Sequence, residues 1–406
     1  MGAFSEAISK KILLFDGSMG ALIGQMGINT TCPDELSIIS PEVIRGIHER
    51  YISAGANVIL ADTFGSTDMA LSHKGKKGMS GQITKASVSL AKEAANGNAL
   101  VAVDVGPTSE FLYPVGQYKT EDFFETFLTQ MRAAKEAGAD FAMIETQTDA
   151  AEARCAALAA REAGLECAIS FTFQNGRTLT GANPETCAKI AEAAGATAVG
   201  INCSEGPEQM LKTIERMIAA THLPVIVQPN AGLPQTAPDG STYYPYSPEE
   251  MLESMKKIID MGAGAIGGCC GTTPEHIKAI SPLSGGAQKT KEKDTEKYVC
   301  SARAIHPLSE ALDAQAEVTD PEDMYDLDPD DMLAVIDLDE IAPDDVSDFV
   351  LECAANGKTP LAFKTDDKEK LEKALFAYPG VACVFADEIL KDVCSKYGAV
   401  RAEELS

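Results

Sequence analysis

Short apolar runs recur along the first two thirds of the chain, and each is followed by a polar or glycine-rich loop and a stretch with helical periodicity. The runs are continuous rather than alternating, which is typical of parallel strands that are covered on both faces. They are ILLFD (12–16), NVILAD (57–62), LVAVDVG (100–106), FAMIE (141–145), CAISFTF (167–173), AVGIN (198–202), PVIVQ (224–228) and AGAIGG (263–268). The pattern therefore predicts eight buried strands separated by helices.

The helical stretches carry recognisable start and stop signals. SPEVIRGIHERYISAG (40–55), SPEEMLESMKKIIDMG (247–262) and TPEHIKAI (273–280) open with Ser or Thr as the N-cap, Pro at the first helical position and Glu in the first turn. Several stretches close on Gly followed by Ala, and Gly suits the left-handed residue that ends a helix. Eight such units over about 280 residues predict a (β/α)8 TIM barrel, with an open doubly wound sheet as the alternative.

The composition changes after residue 283, and this change sets the predicted domain boundaries. We assign residues 1–283 to the barrel, the hydrophilic stretch 284–300 to a linker and residues 301–406 to a small acidic α/β domain. Three runs in this domain, MLAVIDLD (332–339), TPLAFKTD (359–366) and VACVFAD (381–387), alternate with helical segments and predict a unit of three strands. The sequence of this unit does not indicate its role.

Charge and hydropathy exclude several classes of partner. The 406 residues carry a formal net charge of −27, which argues against a nucleic-acid or anionic-membrane surface and favours small molecules or proteins as partners. No apolar run approaches the roughly 20 residues that a membrane span needs, and the N-terminus does not resemble an export signal. We therefore expect a cytoplasmic protein whose eleven cysteines are mostly reduced.

Chemically reactive side chains cluster where the predicted strands end. In TIM barrels the active site lies at the carboxyl ends of the strands, so these side chains should share one rim. They are Asp16 after the first strand, Asp62 and Thr63 after the second, Glu145 after the fourth, Asn202 and Cys203 after the sixth, Gln228 and Asn230 after the seventh, and Cys269 and Cys270 after the eighth.

The adjacent cysteines Cys269 and Cys270 stand among glycines in GAGAIGGCCGTTPEH (262–276). Taken alone they could be buried small hydrophobic residues or a strained vicinal disulfide. Cys203 is predicted two strands away on the same rim, so the three thiols can converge on a metal ion. Three thiolates with an open fourth position are typical of catalytic zinc, unless His276 closes the site. We expect His276 to face away, and we expect core positions for the other cysteines, which are 32, 155, 167, 187, 300, 353, 383 and 394.

Several longer motifs resemble those of a known family. They are LLFDGSMGALI (13–23), ADTFGST (61–67), VGPTSEFLYPVG (105–116), FAMIETQTD (141–149), FTFQNGRTLTGANPE (171–185), GINCSEGPE (200–208), PNAGLP (229–234) and GGCCGTTPEHI (267–277). Over roughly residues 8–283 the chain resembles the homocysteine-binding domain of cobalamin-dependent methionine synthase and related zinc-dependent homocysteine S-methyltransferases.

The resemblance implies a zinc methyltransferase that forms methionine from homocysteine. It implies that Cys203, Cys269 and Cys270 bind Zn²⁺ and serve catalysis, and that the acidic residues at the ends of strands 1 and 4 hold the amino acid. These acidic residues are Asp16 and Glu145, with Gly17 and Asn202 as further candidates for substrate binding. Asp16 could instead be a plain turn residue before Gly17.

The methyl donor is left open by the sequence. In the full methionine synthase, folate, cobalamin and activation domains follow the barrel, whereas about 120 residues follow it here, and they contain no corrinoid-binding pattern. We therefore expect a methylated corrinoid protein that carries cobalamin and acts in trans. The alternatives are a methylsulfonium or betaine donor, or a non-catalytic subunit that binds zinc or homocysteine. The 301–406 unit either contributes to docking or caps the barrel.

Overall fold

The computed structural model describes residues 2–236, 242–289, 296–386 and 388–405. Part of the predicted linker, residues 290–295, and the last residue of the predicted run 381–387, Asp387, lie outside the described residues. No helix within the described ranges is long and apolar enough to cross a membrane.

Eight parallel strands form the barrel. They are β1 (Leu13–Leu14), β2 (Val58–Leu60), β3 (Leu100–Val105), β4 (Phe141–Gln147), β5 (Glu166–Phe171), β6 (Ala198–Asn202), β7 (Val225–Gln228) and, after the short antiparallel pair β8 (Gln235–Thr236) and β9 (Thr242–Tyr243), β10 (Ala265–Ile266). The hydrogen-bonded order runs from β1 through β10, β7, β6, β5, β4 and β3 to β2. A parallel bridge between Phe15 and Val58 closes the gap between β1 and β2. The predicted (β/α)8 barrel is confirmed.

Helices alternate with the strands and cover the outside of the sheet. The helices that separate successive barrel strands or follow the last one are α4 (Pro41–Ser53), α6 (Ser80–Ala95), α7 (Thr120–Glu136), α8 (Ala150–Glu162), α9 (Pro184–Ala193), α10 (Pro207–Ala220), α11 (Pro248–Met261) and α12 (Pro274–Ile280). Of the predicted N-caps, Ser247 before α11 forms a capping box, in which Ser247 accepts the Glu250 N–H and the Glu250 side chain accepts the Ser247 N–H. Ser40 before α4 makes no side-chain cap hydrogen bond, so that prediction is wrong.

The amino-terminal end of the barrel is closed by helix α1 (Ala3–Lys10). Phe4 and Ile8 on this helix join the core inside the barrel, and the Phe4 ring stacks on Phe141 with centroids 3.9 Å apart. Glu166 at the start of β5 accepts the backbone N–H groups of Phe4 and Ser5 at the start of the helix. Because this end is filled, the barrel opens only at the carboxyl ends of the strands.

The connections at the open end contain further short helices. They are α2 (Met19–Gln25), the 3₁₀ turn Pro33–Glu35, α3 (Leu36–Ile39) and α5 (Asp68–His73), followed at the end of the barrel by the 3₁₀ turn Ser281–Leu283. The first four of these segments lie between β1 and α4 or between β2 and α6, so they build the wall on one side of the barrel mouth.

The C-terminal unit contains a five-stranded parallel sheet, two strands more than predicted. Its strands pair in the order β13 (Gln315–Glu317), β14 (Leu333–Asp337), β15 (Leu361–Lys364), β16 (Cys383–Phe385) and β17 (Val400–Arg401). The two missed strands lie at the edges. β13 is short, polar and mostly exposed, and β17 has only two residues, so neither carries an apolar run.

The C-terminal unit also contains a short antiparallel strand pair, four helices and several 3₁₀ turns. An antiparallel pair, β11 (Tyr298–Cys300) and β12 (Ile305–Pro307), precedes the sheet, and its first strand lies within the range predicted as linker. The helices are α13 (Leu308–Asp313), α14 (Val346–Asn356), α15 (Lys368–Ala377) and α16 (Lys391–Tyr397). The 3₁₀ turns are Pro321–Tyr325, Leu338–Glu340, Glu388–Leu390 and Ala402–Leu405.

The C-terminal unit packs against helices on one side of the barrel. Arg154 on α8 is buried and donates hydrogen bonds to the carbonyl oxygens of Leu375 and Phe376 at the end of α15. Phe124 on α7 makes an edge-to-face contact with Phe376, with ring centroids 5.4 Å apart. Apolar and polar contacts therefore both hold this unit to the barrel.

Candidate active site

The mouth of the barrel contains a cavity of about 470 Å³. Among the residues predicted for the rim or for substrate binding, those that line it are Asp16, Gly17, Asp62, Glu145, Cys203, Cys269 and Cys270. The other predicted rim residues, Thr63, Asn202, Gln228 and Asn230, are buried. The barrel thus brings the predicted thiols and carboxyls to one cavity from strands that are far apart in sequence.

Three thiols form a cluster on one side of this cavity. The Sγ atoms of Cys203, Cys269 and Cys270 all lie within 4.8 Å of one another, and those of Cys203 and Cys270 are 3.4 Å apart. Hydrogen bonds from the other two thiols lower the pKa of Cys270, whereas hydrogen bonding to Cys270 and burial raise the pKa of Cys203 and Cys269, so the cluster favours one thiolate shared among three sulfurs. Three convergent sulfur donors that face a cavity are suited to a tetrahedral zinc ion with one position open to a ligand.

The backbone around the thiols aims them at one point. Cys203 directly follows β6 and has a φ of 50°, a left-handed conformation that is uncommon for a residue with a side chain. The N–H of Cys269 donates to the Pro229 carbonyl oxygen at 2.9 Å, and the N–H of Cys270 donates to Asn230 Oδ1 at 3.1 Å. The segment after β7 therefore fixes the turn that carries both adjacent cysteines.

His276 lies outside the thiol cluster, as the sequence led us to expect. Its Nδ1 accepts the N–H of Thr273 at 3.2 Å, and its Nε2 is 2.9 Å from the carbonyl oxygen of Tyr246. One tautomer, with the proton on Nε2, satisfies both contacts. Both ring nitrogens are therefore engaged at the start of α12. The eight remaining cysteines are buried in the core, which confirms that prediction.

Four carboxyl groups, in or just after the first four barrel strands, line the same cavity, and the charge of Cys270 acts on one of them, Glu145. Asp16, Asp62, Asp104 and Glu145 each have less than a tenth of their surface exposed. Burial is the main cause that raises the pKa of all four, to about 8 for Asp62 and Glu145. For Asp16, the N–H of Leu60, which donates to Oδ2 at 3.0 Å, opposes this effect. A cation bound beside any of these groups would favour its ionised form and offset the effect of burial.

A bulge in β4 turns Glu145 toward the cavity. The pairing of β4 with β5 shifts register between Ile144 and Gln147, and Thr146 in the bulge has a φ of 56°. Bulges of this kind re-aim side chains and are common beside active sites. Glu145 consequently lines the cavity, although the strand around it is buried on both faces.

Asn202 connects the carboxyl side of the mouth to the thiol side. Its Oδ1 accepts hydrogen bonds from the N–H of Thr146 and the hydroxyl of Ser170, both at 2.9 Å. Its Nδ2 donates to Thr146 Oγ1 at 2.8 Å and lies 3.8 Å from Cys269 Sγ. The residue is fully buried, and its amide is committed to these partners. Asn202 therefore fixes the distance between the bulge beside Glu145 and the turn that carries Cys269.

At position 17 in the cavity wall, the neighbouring residues leave no room for a side chain, so glycine is required. A Cβ atom at this position would lie 2.6 Å from Thr272 Oγ1 and 3.1 Å from the Tyr51 ring. The Tyr51 hydroxyl in turn donates to the carbonyl oxygen of Ser18 at 2.9 Å. A side chain at Gly17 would thus disturb the contact between the β1 connection and the cysteine turn.

Two residues at the site were missed by the sequence analysis. Asp104 lines the cavity from within β3, and an acidic residue in the apolar run LVAVDV was the available signal. The Tyr244 side chain hydrogen-bonds Cys270, and burial together with the charge of Cys270 raises the pKa of Tyr244 to about 12. No sequence signal distinguished Tyr244, because it lies in the long connection between β7 and α11, outside the apolar runs.

The fold and the site together define a TIM-barrel enzyme whose mouth pairs thiols with carboxyls. The sequence profile of the homocysteine S-methyltransferase family matches residues 13–283, and the chain belongs to this family. It is therefore a methyltransferase enzyme.

Solved structures of a homocysteine methyltransferase, MmuM from Escherichia coli, share the fold. The metallated form is 24% identical, covers 69% of this chain and 98% of its own, and has a TM-score of 0.58. The oxidised form is 24% identical over 67% and 96% of the two chains, with a TM-score of 0.58. The apo form is 25% identical over 67% and 95%, with a TM-score of 0.53. The matched share of this chain corresponds in size to the barrel.

Proposed function

We propose that the protein is a zinc-dependent methyltransferase that converts homocysteine to methionine, with Cys203, Cys269 and Cys270 as the zinc ligands. The observation that carries this proposal is the convergence of the three Sγ atoms to within 4.8 Å at the wall of the cavity. When bound, zinc supplies a positive charge that favours the ionised form of a thiol at neutral pH. MmuM has been solved in a metallated form, and a metal in this relative is consistent with the proposal.

The carboxyl side of the mouth orients the amino acid. Asp16 and Glu145 accept hydrogen bonds from the homocysteine ammonium, and the substrate thiol then extends toward the cysteines across the cavity. An ammonium group close to Glu145 favours its charged form and opposes the burial that raises its pKa to about 8. Gly17 lines the same cavity, and its lack of a side chain lets the connection after β1 pack closely against Thr272 and Tyr51.

Asn202 and Tyr244 act as positioning residues in this scheme. Asn202 links Thr146 to the cysteine turn, and Tyr244 hydrogen-bonds Cys270. These contacts fix the distance between the ammonium site and the sulfur site. Correct aim contributes several kcal/mol to a transfer reaction, because the reacting atoms are already close to the attack geometry.

The transfer itself is a nucleophilic displacement at carbon. A lone pair on the substrate sulfur forms the new sulfur–carbon bond, and the electron pair of the broken bond leaves with the methyl donor. The thiol gives up its proton to solvent water before the attack, because the thiolate is the nucleophile. Leu60, Ala61 and Phe64 give the cavity an apolar wall beside the reacting groups.

We propose that the donor is a methylated corrinoid protein that docks over the strand ends. Among the described residues, the large apolar side chains that the barrel exposes all lie in connections that follow strands. They are Met26 and Ile39 after β1, Phe64 after β2, Phe111 and Val115 after β3, Leu179 after β5, and Leu233 and Tyr243 after β7. Exposed apolar side chains concentrated on one face are typical of a surface that binds another protein. We place the reaction in the cytoplasm, since a thiolate cluster persists in a reducing compartment.

A donor comparison tests this proposal. The zinc-loaded protein is incubated with homocysteine and, in separate reactions, a methylated corrinoid protein, free methylcobalamin, S-methylmethionine, S-adenosylmethionine or betaine, and methionine is quantified. We expect the highest turnover with the methylated corrinoid protein.

Rapid turnover with a sulfonium or betaine and none with either methylcorrinoid would replace the proposed donor and leave the zinc chemistry standing. Binding of zinc and homocysteine without methionine formation from any of these donors would favour the non-catalytic subunit.

A further inference from the structure

We infer that Asp104 is a third acceptor for the ammonium group of homocysteine, beside Asp16 and Glu145. This inference rests on the proposed function, since it assigns one more residue to the same substrate. Asp104 lies near the carboxyl end of β3 and lines the cavity at the barrel mouth.

The backbone of Asp104 is held rigidly from the neighbouring strand. Its N–H donates to Thr63 Oγ1 at 2.9 Å, and the Thr63 hydroxyl is 2.8 Å from the Asp104 carbonyl oxygen. Gln130 on α7 donates from Nε2 to the same carbonyl oxygen at 3.3 Å. Thr63 and Gln130 are both fully buried. The direction in which the Asp104 side chain leaves the strand is therefore fixed by the protein before any ligand binds.

The carboxyl group of Asp104 lacks a partner at one oxygen. The side chain is more than nine-tenths buried, and within the described part of the chain Oδ1 has no hydrogen-bond partner. A buried carboxyl oxygen without a donor is costly, and such positions are often completed by a ligand. Because Asp104 also lines the cavity, a donor bound there would meet a rigidly held carboxyl group that the protein itself leaves incompletely paired.

The surroundings of Asp104 indicate that this donor is cationic. In the register of β3 and β4, Asp104 pairs with Met143, and Glu145 lies two residues further along β4. After burial, the charges of Glu145 and Asp16 contribute most to the raised pKa of Asp104, so both are close to it. Among the described residues that line the cavity, the only cation is Lys74, which pairs with Asp34 at 3.2 Å.

The geometry suits a primary ammonium group. An ammonium carries three N–H donors, and the three carboxyls approach the same part of the cavity from β1, β3 and β4. Asp62 is a different case, although it too is buried and has an unpaired oxygen. After burial, the charges that act on Asp62 are those of Asp34 and Lys74, and those of Asp16 and Glu145 are not among them. The structure thus assigns Asp104, and not Asp62, to the ammonium.

A comparison of two ligands tests this assignment. L-homocysteine and 4-mercaptobutanoate share the thiol and the carboxylate, and only homocysteine has the amino group. Calorimetric titration of the zinc-loaded parent with each ligand gives the preference for the amino group as a ratio of dissociation constants. The same ratio is then measured for Asp104→Asn, Glu145→Gln and the matched cavity variant Asp62→Asn, with zinc content and circular dichroism as checks.

We expect Asp104→Asn to reduce the preference by about tenfold or more, as Glu145→Gln does, because each loses a charge-assisted hydrogen bond. Asp62→Asn should retain the parent ratio within about twofold. If Asp104→Asn does not fold, Asp104→Ser provides the same measurement with a smaller side chain.

Two results would overturn the inference. A parent-like ratio in Asp104→Asn together with a reduced ratio in Glu145→Gln would remove Asp104 from the site and leave the proposed function intact. A parent protein that binds both ligands equally, or neither, would contradict the proposed function as well as this inference.

Discussion

At the scale of single residues, the site depends on backbone conformations that ordinary side chains rarely adopt. Cys203 and Thr146 have φ values of 50° and 56°, and both residues line the cavity. A left-handed conformation costs a residue with a side chain about 1–3 kcal/mol, and such strain is found most often at functional sites. Packing and hydrogen bonds in the surrounding barrel must offset this cost. The two conformations direct the Cys203 thiol and the neighbouring Glu145 carboxyl toward the cavity.

The three thiols should be individually required for the metal. Replacing Cys203, Cys269 or Cys270 with Ala removes one of three zinc ligands, so we expect zinc to fall from about one per chain to near zero. Circular dichroism should be unchanged, since these residues lie at the catalytic end of the barrel and not in its core. Elemental analysis of the purified variants measures the effect.

Cys167→Ala is the matched control, because this thiol is buried inside β5 and away from the cluster. It should keep its zinc and lose about 1 kcal/mol of stability through the small cavity it creates. Full zinc in all three cluster variants would show that the metal site is elsewhere.

At the scale of structural elements, the turn after β10 has to satisfy several structural requirements at once. It must present Cys269 and Cys270, pack against the connection after β7, and lead into α12 within a few residues. The Thr272 hydroxyl donates to the Cys269 carbonyl oxygen at 2.6 Å and accepts the N–H of Ser18 at 3.2 Å. Thr272 therefore stabilises the turn by one hydrogen bond within it and by a second hydrogen bond to the segment that follows β1.

Gly271 should be essential to this turn. Its φ is 78°, and a Cβ atom there would collide with the ring of Tyr244. We expect Gly271→Ala to displace Tyr244 and Cys270, to weaken zinc binding at least tenfold, and to lose more stability than the left-handed conformation alone explains. Zinc competition with a chelator and thermal unfolding measure these effects.

Gly138→Ala is a control that has the backbone strain expected of Gly271→Ala but not its clash with Tyr244. Gly138 has a φ of 89°, but nothing lies within 4 Å of an added Cβ atom. This control should lose only about 1–2 kcal/mol, the cost of a left-handed residue with a side chain, and should bind zinc like the parent. Equal zinc affinity in the two alanine variants would contradict the assigned role of Gly271.

At the scale of the whole molecule, a buried guanidinium joins the two units. Arg154 is 3% exposed, and burial lowers its pKa to about 10. It donates to the Leu375 and Phe376 carbonyl oxygens at 2.6 and 3.0 Å, and those oxygens lie at the end of α15. A second polar contact, between Lys119 and Asp348 at 2.8 Å, lies at the exposed edge of the same interface. The buried Arg154 contact should contribute much more to the free energy of unfolding than the exposed Lys119–Asp348 contact does.

Arg154→Met should loosen the C-terminal unit. The substitution leaves buried carbonyl oxygens without a donor, which costs about 1–3 kcal/mol, whereas loss of the exposed ion pair in Lys119→Met should cost less than about 1 kcal/mol. Urea unfolding compares the two variants, and limited proteolysis shows whether cleavage between the units increases. Equal destabilisation by the two substitutions would contradict the central role of Arg154.

The amino-acid sequence by itself determined the barrel and the position of the thiols. Buried parallel strands read as continuous apolar runs, and in a (β/α)8 barrel every run ends at the same rim. Cys203, Cys269 and Cys270 could therefore be placed together without coordinates, and their sulfur atoms do converge. The same reasoning underestimated the C-terminal sheet, because its edge strands are too short or too polar to form apolar runs.

Only the tertiary structure decided which carboxyls face the cavity and what supports them. Side-chain direction at the end of a buried strand depends on register and on local bulges, such as the one at Thr146, and neither is encoded in the apolar pattern. Asp104 is held by Thr63 and Gln130, and Tyr244 reaches Cys270 from a connection that has no distinguishing pattern. These contacts join residues distant in sequence, so they exist only once the barrel has closed.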